Sequence, residues 1–243
     1  MEHTKKKFSI YNQNVVGYVF IMPWLVGFLC FTLVPFLMSF VLSFTNFNIL
    51  SPDTKFIGLD NYVKLFTQDK LFIKSLKVTF KFAFISVPLR LIFALFVAMI
   101  LNRKSRAVPI YRVVYYLPSI IGGSVAVSVM WRNLFTKAGV INSLLQAVGI
   151  DCRLNWLSNT KTALFTLILL YVWQFGSSML IFLSGLKQIP VSYYEAAEVD
   201  GAGKVRQFFS ITLPLLSPII LFNLVMQIIN GFMVFTQAQI ITD

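Results

Sequence analysis

The sequence predicts an all-α integral membrane protein, a polytopic helical bundle with five spans, and three observations carry that expectation. Hydrophobic residues fill 57% of the 243 positions against 12% for charged ones, and mean hydropathy is +0.76. A soluble domain of this size would lack the polar residues to cover its surface. Charge-free apolar runs at 8–52, 113–131, 162–186 and 207–242 each hold a helix of the about 20 residues that crosses a bilayer core. None of them shows the polar and apolar alternation of barrel strands, and helices satisfy their own backbone in lipid.

In chain order, residues 1–13 form a basic tail with Lys5-Lys6-Lys7. The run behind it is too long for a signal-peptide core and lacks a small-residue cleavage site, so it reads as a retained first span at about 15–44. Pro23 suits a helix start, and Pro35 is expected to bend or break the helix. A polar connector, 45–77, carries turn signals at Ser51-Pro52-Asp53 and Gly58, and 61–72 reads as a surface helix. The second span, about 79–101, is apolar although it contains Lys81 and Arg90. Lys81 lies near its outer edge, where snorkelling suffices. Arg90 lies near its middle, where a charge is expensive; pairing with a partner subunit or snorkelling is expected, and a phosphorylated solute would give it another role.

A basic loop with Arg103, Lys104, Arg106 and Arg112 leads to a third span at about 113–131, which contains Pro118 and Gly122-Gly123. A second polar connector precedes the fourth span, about 163–183. After the loop 187–214, the fifth span runs over about 215–235. Cys30 in the first span and Cys152 in the second connector are too far apart to bridge and read as free thiols.

The loop 187–214 organises the chain. Ser192 and Glu195 have the spacing of a capping box that starts a short helix. Ala196 and Ala197 would let another surface approach its backbone, and Gly201 stops it. Asp200 is expected to cap a second helix, about 202–212, with Phe208, Phe209 and Leu213 on its apolar side, until Pro214 marks the next boundary. Two short exposed helices of this kind suit docking into a partner's groove. The plainer alternative is an ordinary connector.

The order Glu195-Ala196-Ala197, Gly201, Ile211-Thr212-Leu213-Pro214 resembles the EAA loop of permease subunits in binding-protein-dependent ABC importers. Asp200-Gly201-Ala202 resembles the carbohydrate branch of that family, the maltose and multiple-sugar type. FTNFN at 44–48 and FIGLDNY at 56–62 resemble its MalF-like member. The third span also resembles the family's, which is irregular near its proline. The resemblance implies a multi-pass subunit of a bacterial or archaeal inner membrane, moving a sugar or oligosaccharide by alternating access. It implies three kinds of partner besides lipid: a second and different permease subunit, two ATPase subunits and an extracellular solute-binding protein. Glu195, Ala196, Ala197, Asp200 and Gly201 would be the ATPase-coupling residues. Members of the family continue into a sixth span, so the chain is expected to be a fragment that ends before it, or else an unusual five-span protein.

The chemistry the residues permit is narrow. The one glycine-lysine pair, Gly203-Lys204, is followed by Val205 and preceded by Glu198 at the first glycine position of a phosphate-binding loop, so no Walker A motif exists. Arg206 stands at the third glycine of a dinucleotide fingerprint. All nine carboxylates lie outside the spans and the one histidine is His3, so a metal site, proton relay or acid/base pair within the membrane has no residues. No enzymatic activity and no cofactor are therefore expected of this chain, with ATP held by partner subunits.

What the spans do offer is neutral: Trp173, Gln174, Ser177 and Ser178 in the fourth, Gln227 and Asn230 in the fifth. Amides and aromatic faces suit a sugar, while interhelical hydrogen bonding is the plainer reading of any one of them. Glycerol phosphate or another polar solute is the alternative cargo, and an ion-coupled secondary transporter is less well supported. The net charge of +12 comes from residues beside spans instead of one basic stripe, which argues against nucleic acid. Their density in the tail and the 102–112 loop places the tail and the EAA-like loop in the cytoplasm.

Overall fold

The computed structural model describes residues 13–50, 54–103, 105–150, 154–234 and 236–242; Lys5-Lys6-Lys7, the Ser51-Pro52-Asp53 turn and Cys152 lie outside them. The architecture is the helical bundle that the hydropathy requires, and among the described residues the one β pairing is an isolated bridge between Thr45 and Phe56. Three helices, 16–42, 70–101 and 204–232, are long and apolar enough to cross a membrane, and two bent helix pairs qualify together, giving up to five spans. The chain divides into two compact units, 1–75 and 76–243.

Unit 1 opens with α1 (Gln13–Phe28), a π turn (Leu29–Leu33) and α2 (Val34–Leu42) in one unbroken span. Pro35 does not break it, contrary to the sequence expectation. Proline has no N–H and its ring collides with the carbonyl four residues back, here that of Phe31. That carbonyl lies inside the wide turn, which opens the register and makes room. Cys30 is exposed and free.

The connector then folds back on the end of α2. Asn61 donates through Nδ2 to the carbonyls of Ser43 at 2.8 Å and Thr45 at 2.9 Å, and the Tyr62 hydroxyl meets that of Ser43 at 2.7 Å. The two motifs FTNFN and FIGLDNY are thus two sides of one clasp. Gly58, at φ +61°, takes a left-handed turn within the second motif, just before α3 begins. The expected surface helix at 61–72 is two elements: α3 (Asp60–Thr67) stops short, and α4 (Lys70–Leu101) begins anew. Asp69 separates them, because its carboxylate accepts from the N–H groups of Leu71 and Phe72, each at 2.9 Å, and so caps α4.

In unit 2, α4 buries one face at helical spacing: Ala83, Val87, Arg90, Ala94, Ala98 and Leu101. Small residues there let neighbours pack closely, the usual basis of helix association in lipid. Next come α5 (Val108–Ile121) and α6 (Val125–Leu134), which meet at 99° across Gly122–Ser124. The third apolar run, expected as one span at 113–131 and irregular near Pro118, is thus a bent pair that qualifies as a span together, with its break four residues beyond that proline. After α7 (Val140–Ala147) come α8 (Thr160–Trp173) and α9 (Gly176–Leu186), bent by 41°. Val87 and Ala94 of α4, Tyr171 of α8, Met179 and Phe182 of α9 and Leu216 share one core.

The EAA-like loop supplies α10 (Val191–Val199). A continuous helix follows, made of α11 (Lys204–Gln207), a second π turn (Phe208–Thr212) and α12 (Leu213–Phe232). The second helix expected at 202–212 is not separate; from Lys204 on it is the beginning of the fifth span. Pro214 does not mark a boundary, for the reason found at Pro35: its clash partner, the Ser210 carbonyl, lies inside a π turn. Last, α13 (Thr236–Thr242) packs against α6 and α8, where Ile241 joins Val127, Trp131, Phe135 and Leu170 in a second core.

Candidate functional site

The two breaks in unit 2 free backbone groups that a lipid-embedded chain must satisfy internally. Ser119 of α5 does this for the fourth span: its hydroxyl donates to the Gln174 carbonyl at 2.9 Å and accepts from the Ser177 N–H at 3.0 Å. Across the other break the Gly122 carbonyl accepts from Gln237 Nε2 at 2.7 Å and Gln174 Nε2 at 3.4 Å. Ser124 caps α6 by accepting from the Val127 N–H at 3.3 Å. Gly176 lets the broken spans touch, since a Cβ there would collide with the Tyr115 carbonyl. Each break is held open by the polar groups of its neighbour.

Between these breaks lies a cavity of about 370 Å³ lined by Arg90, Ser119, Gly123, Tyr171, Gln174, Ser177, Asn230 and Gln237, together with residues 233, 234 and 236. Arg90 is 6% exposed. Its guanidinium stacks 4.5 Å from the centroid of the Tyr171 ring and donates to the Ser177 hydroxyl at 3.3 Å, while its Nε has no partner. A charge at the centre of a span costs about 2.5–3.5 kcal/mol on insertion scales, and a cation–π contact returns about 2 kcal/mol when desolvated. Arg90 therefore does not snorkel; it is turned into the bundle. The Tyr171 hydroxyl is held by the Gln227 carbonyl at 2.8 Å, with Gln227 Oε1 at 3.2 Å.

Of the residues singled out from sequence, Gln174, Ser177 and Asn230 line the cavity, and Trp173, Ser178 and Gln227 do not. Trp173 stacks on Trp131 at 5.6 Å. Ser178 is fully buried without a hydrogen bond, and Gln227 supports Tyr171. Sequence reasoning missed Ser119, Tyr171 and Gln237. Ser119 had a signal, a hydroxyl beside both Pro118 and a glycine pair; Gln237 had none, since the helix that carries it is only seven residues long.

The EAA-like loop is the second candidate. The expected capping box does not form, because Pro190 is the N-cap of α10 and no side chain caps it. Pro190 is extended at ψ 134°, so Ser192 and Glu195 both fall inside the helix. The other end follows expectation. Gly201, at φ +76°, lets its N–H reach the Glu198 carbonyl at 3.0 Å and that of Ala202 reach the Ala197 carbonyl at 2.8 Å, a Schellman ending. Asp200 is the C-cap of α10 and caps no second helix, whose N-cap is Gly203. Lys204 pairs with Glu198 and holds that carboxyl below the usual carboxylate range. The Tyr194 hydroxyl meets that of Thr212 at 2.8 Å, tying α10 to the foot of the long helix. Glu195, Ala196, Asp200 and Gly201 are exposed and Ala197 is half-buried, so the face they share is open.

Residues 82–243 match the family described as "binding-protein-dependent transport system inner membrane component". The chain is 59% identical over 238 residues to the probable ABC transporter permease protein YesP of Bacillus subtilis, covering 98% of this chain and 77% of that one. It is 31% identical over 234 residues to the trehalose/maltose transport system permease protein MalF of Thermococcus litoralis, covering 96% and 78%. Among solved structures it is similar to a bacterial alginate ABC transporter in complex with its alginate pentasaccharide-bound periplasmic protein, with a TM-score of 0.74 and 25% identity over 87% of this chain and 70% of that one.

Proposed function

Because this chain belongs to the family of inner membrane components of binding-protein-dependent transport systems, we propose that it is a permease subunit of an ABC importer for a sugar or oligosaccharide. The solute is delivered from outside by a solute-binding protein. Energy comes from two ATPase subunits, and a second, different permease subunit completes the path through the membrane. The catalytic work of ATP hydrolysis belongs to those partners, and this chain supplies the path and the coupling element. Its tail and the loop at 187–214 face the cytoplasm, by the density of basic residues flanking the first and second spans.

One observation carries this reading: an exposed, Schellman-ended helix, α10, stands between two spans and is tied at Tyr194–Thr212 to a helix that continues unbroken to the polar cavity. Glu195 supplies the polar anchor toward the ATPase, Ala196 and Ala197 the close approach, and Asp200-Gly201 the turn. Closure of the ATPase pair would then move α10 and, through the long helix, the cavity wall.

The test uses the assembled importer in liposomes. Glu195→Lys reverses the anchor's charge, and Gly201→Asp forces a side chain into a left-handed backbone position. Both variants are expected to reach the membrane and to lose ATP-driven uptake at least tenfold, while ATP hydrolysis continues. Normal uptake by both would sink the assignment.

A further inference from the structure

We propose that the cavity in unit 2 takes a carbohydrate or small polyol that carries an anionic group, carboxylate or phosphate, and that Arg90 is the specificity-determining residue that recognises that charge. The proposal rests on the importer reading above and narrows its substrate. A neutral sugar needs only hydroxyl and amide partners, which Ser119, Gln174, Asn230 and Gln237 already supply at the cavity wall. Arg90 adds a full positive charge that such a solute does not use.

The guanidinium is built into the site. Arg90 as a residue is only 6% exposed, and it lines the cavity. One face is taken by the Tyr171 ring and one N–H by Ser177. Its Nε remains without a partner, and among the described residues no carboxylate pairs with it. The described carboxylates are Asp60 and Asp69 in unit 1 and Glu195, Glu198 and Asp200 at the EAA-like loop. A guanidinium has five N–H donors in a planar fork, one of which is taken by Ser177 here, and that donor set matches a carboxylate or a phosphate in two parallel hydrogen bonds. Tyr171, fixed from behind by Gln227, sets the plane of that fork.

The surroundings suit the rest of such a solute. Gln174 and Gln237 spend their amide N–H groups on the Gly122 carbonyl, which leaves their carbonyl oxygens as acceptors for ring hydroxyls. A volume of about 370 Å³ lies at the small end of ligand pockets, with room for a sugar unit.

The experiment measures thermal stabilisation of the purified full importer complex by three probes: an alginate trisaccharide, the same trisaccharide with its carboxyl groups reduced to alcohols, and glycerol phosphate. The complex is expected to respond to at least one anionic probe and not to the reduced trisaccharide; which of the two acts separates carboxylate from phosphate. Arg90→Gln should abolish the response. Arg90→Lys keeps the charge but loses the fork, and should raise the half-saturating concentration about tenfold, the equivalent of 1.4 kcal/mol; it decides the matter if the Gln variant does not fold. An equal response to charged and reduced trisaccharide, an unchanged response in both variants, or no response of the wild-type complex to either anion overturns the proposal. A complex that still couples ATP hydrolysis to uptake while failing these tests overturns this proposal alone and leaves the importer reading standing.

Discussion

Ser119 shows how a single hydroxyl fixes the geometry of the path. It is the partner of one freed carbonyl and one freed N–H on the fourth span, so Ser119→Ala strands both at once. Each unmade bond in a buried site costs about 1–3 kcal/mol. The variant should lose about 2–6 kcal/mol for the two together, read as a lower midpoint of thermal unfolding in detergent, and should lose solute affinity because Gln174 and Ser177 move with the break. Tyr171→Phe is the milder counterpart. It removes the bond to the Gln227 carbonyl but keeps the ring under Arg90, so a loss of about 1 kcal/mol is expected. A larger loss than that of Ser119→Ala would contradict these assignments.

The helices themselves divide into those that declare their limits locally and those that depend on neighbours. Gly176 belongs to the second group. A side chain there collides with the α5 backbone at Tyr115, and Gly176→Val should cost about 1–3 kcal/mol through overpacking, read as a lower midpoint of thermal unfolding with helix content retained. The apolar runs announced most of the spans and Gly201 announced the end of α10, because hydropathy and a left-handed backbone position are properties of the chain alone. The third span's likeness to one that is irregular near its proline foreshadowed the break at 122–124 but not its place, and the break at 174–175 had no such sign. Both breaks exist because Ser119, Gln174 and Gln237 pay for them from other elements, and that pairing is tertiary. Pro190 displaced the capping box expected at Ser192, since the residue that ends the extended segment decides where the helix begins. Pro35 and Pro214 looked like boundaries for want of any sequence sign of a π turn. Half of the neutral residues proposed for the path face the cavity, and Arg90, first read as a charge seeking an interface, is its most distinctive wall.

At the scale of the whole molecule, orientation is the first thing to test. With Cys30 and Cys152 replaced by serine, a cysteine at Tyr193 should react with a membrane-impermeant thiol reagent only from the cytoplasmic side, and the ATPase subunits should protect it; reaction from outside would overturn the topology. The helix from 204 to 232 then acquires a specific consequence. It is 29 residues long, about 44 Å at 1.5 Å per residue, with Tyr194 fastened near one end and Asn230 at the cavity near the other. A single residue inserted between Ser217 and Leu224 would turn everything beyond it by about 100° and swing Asn230 away from the cavity. The loop outside the membrane would stay intact and remain competent to bind its ATPase. Such a protein would assemble normally and burn nucleotide for nothing, a fault in phase rather than in any part.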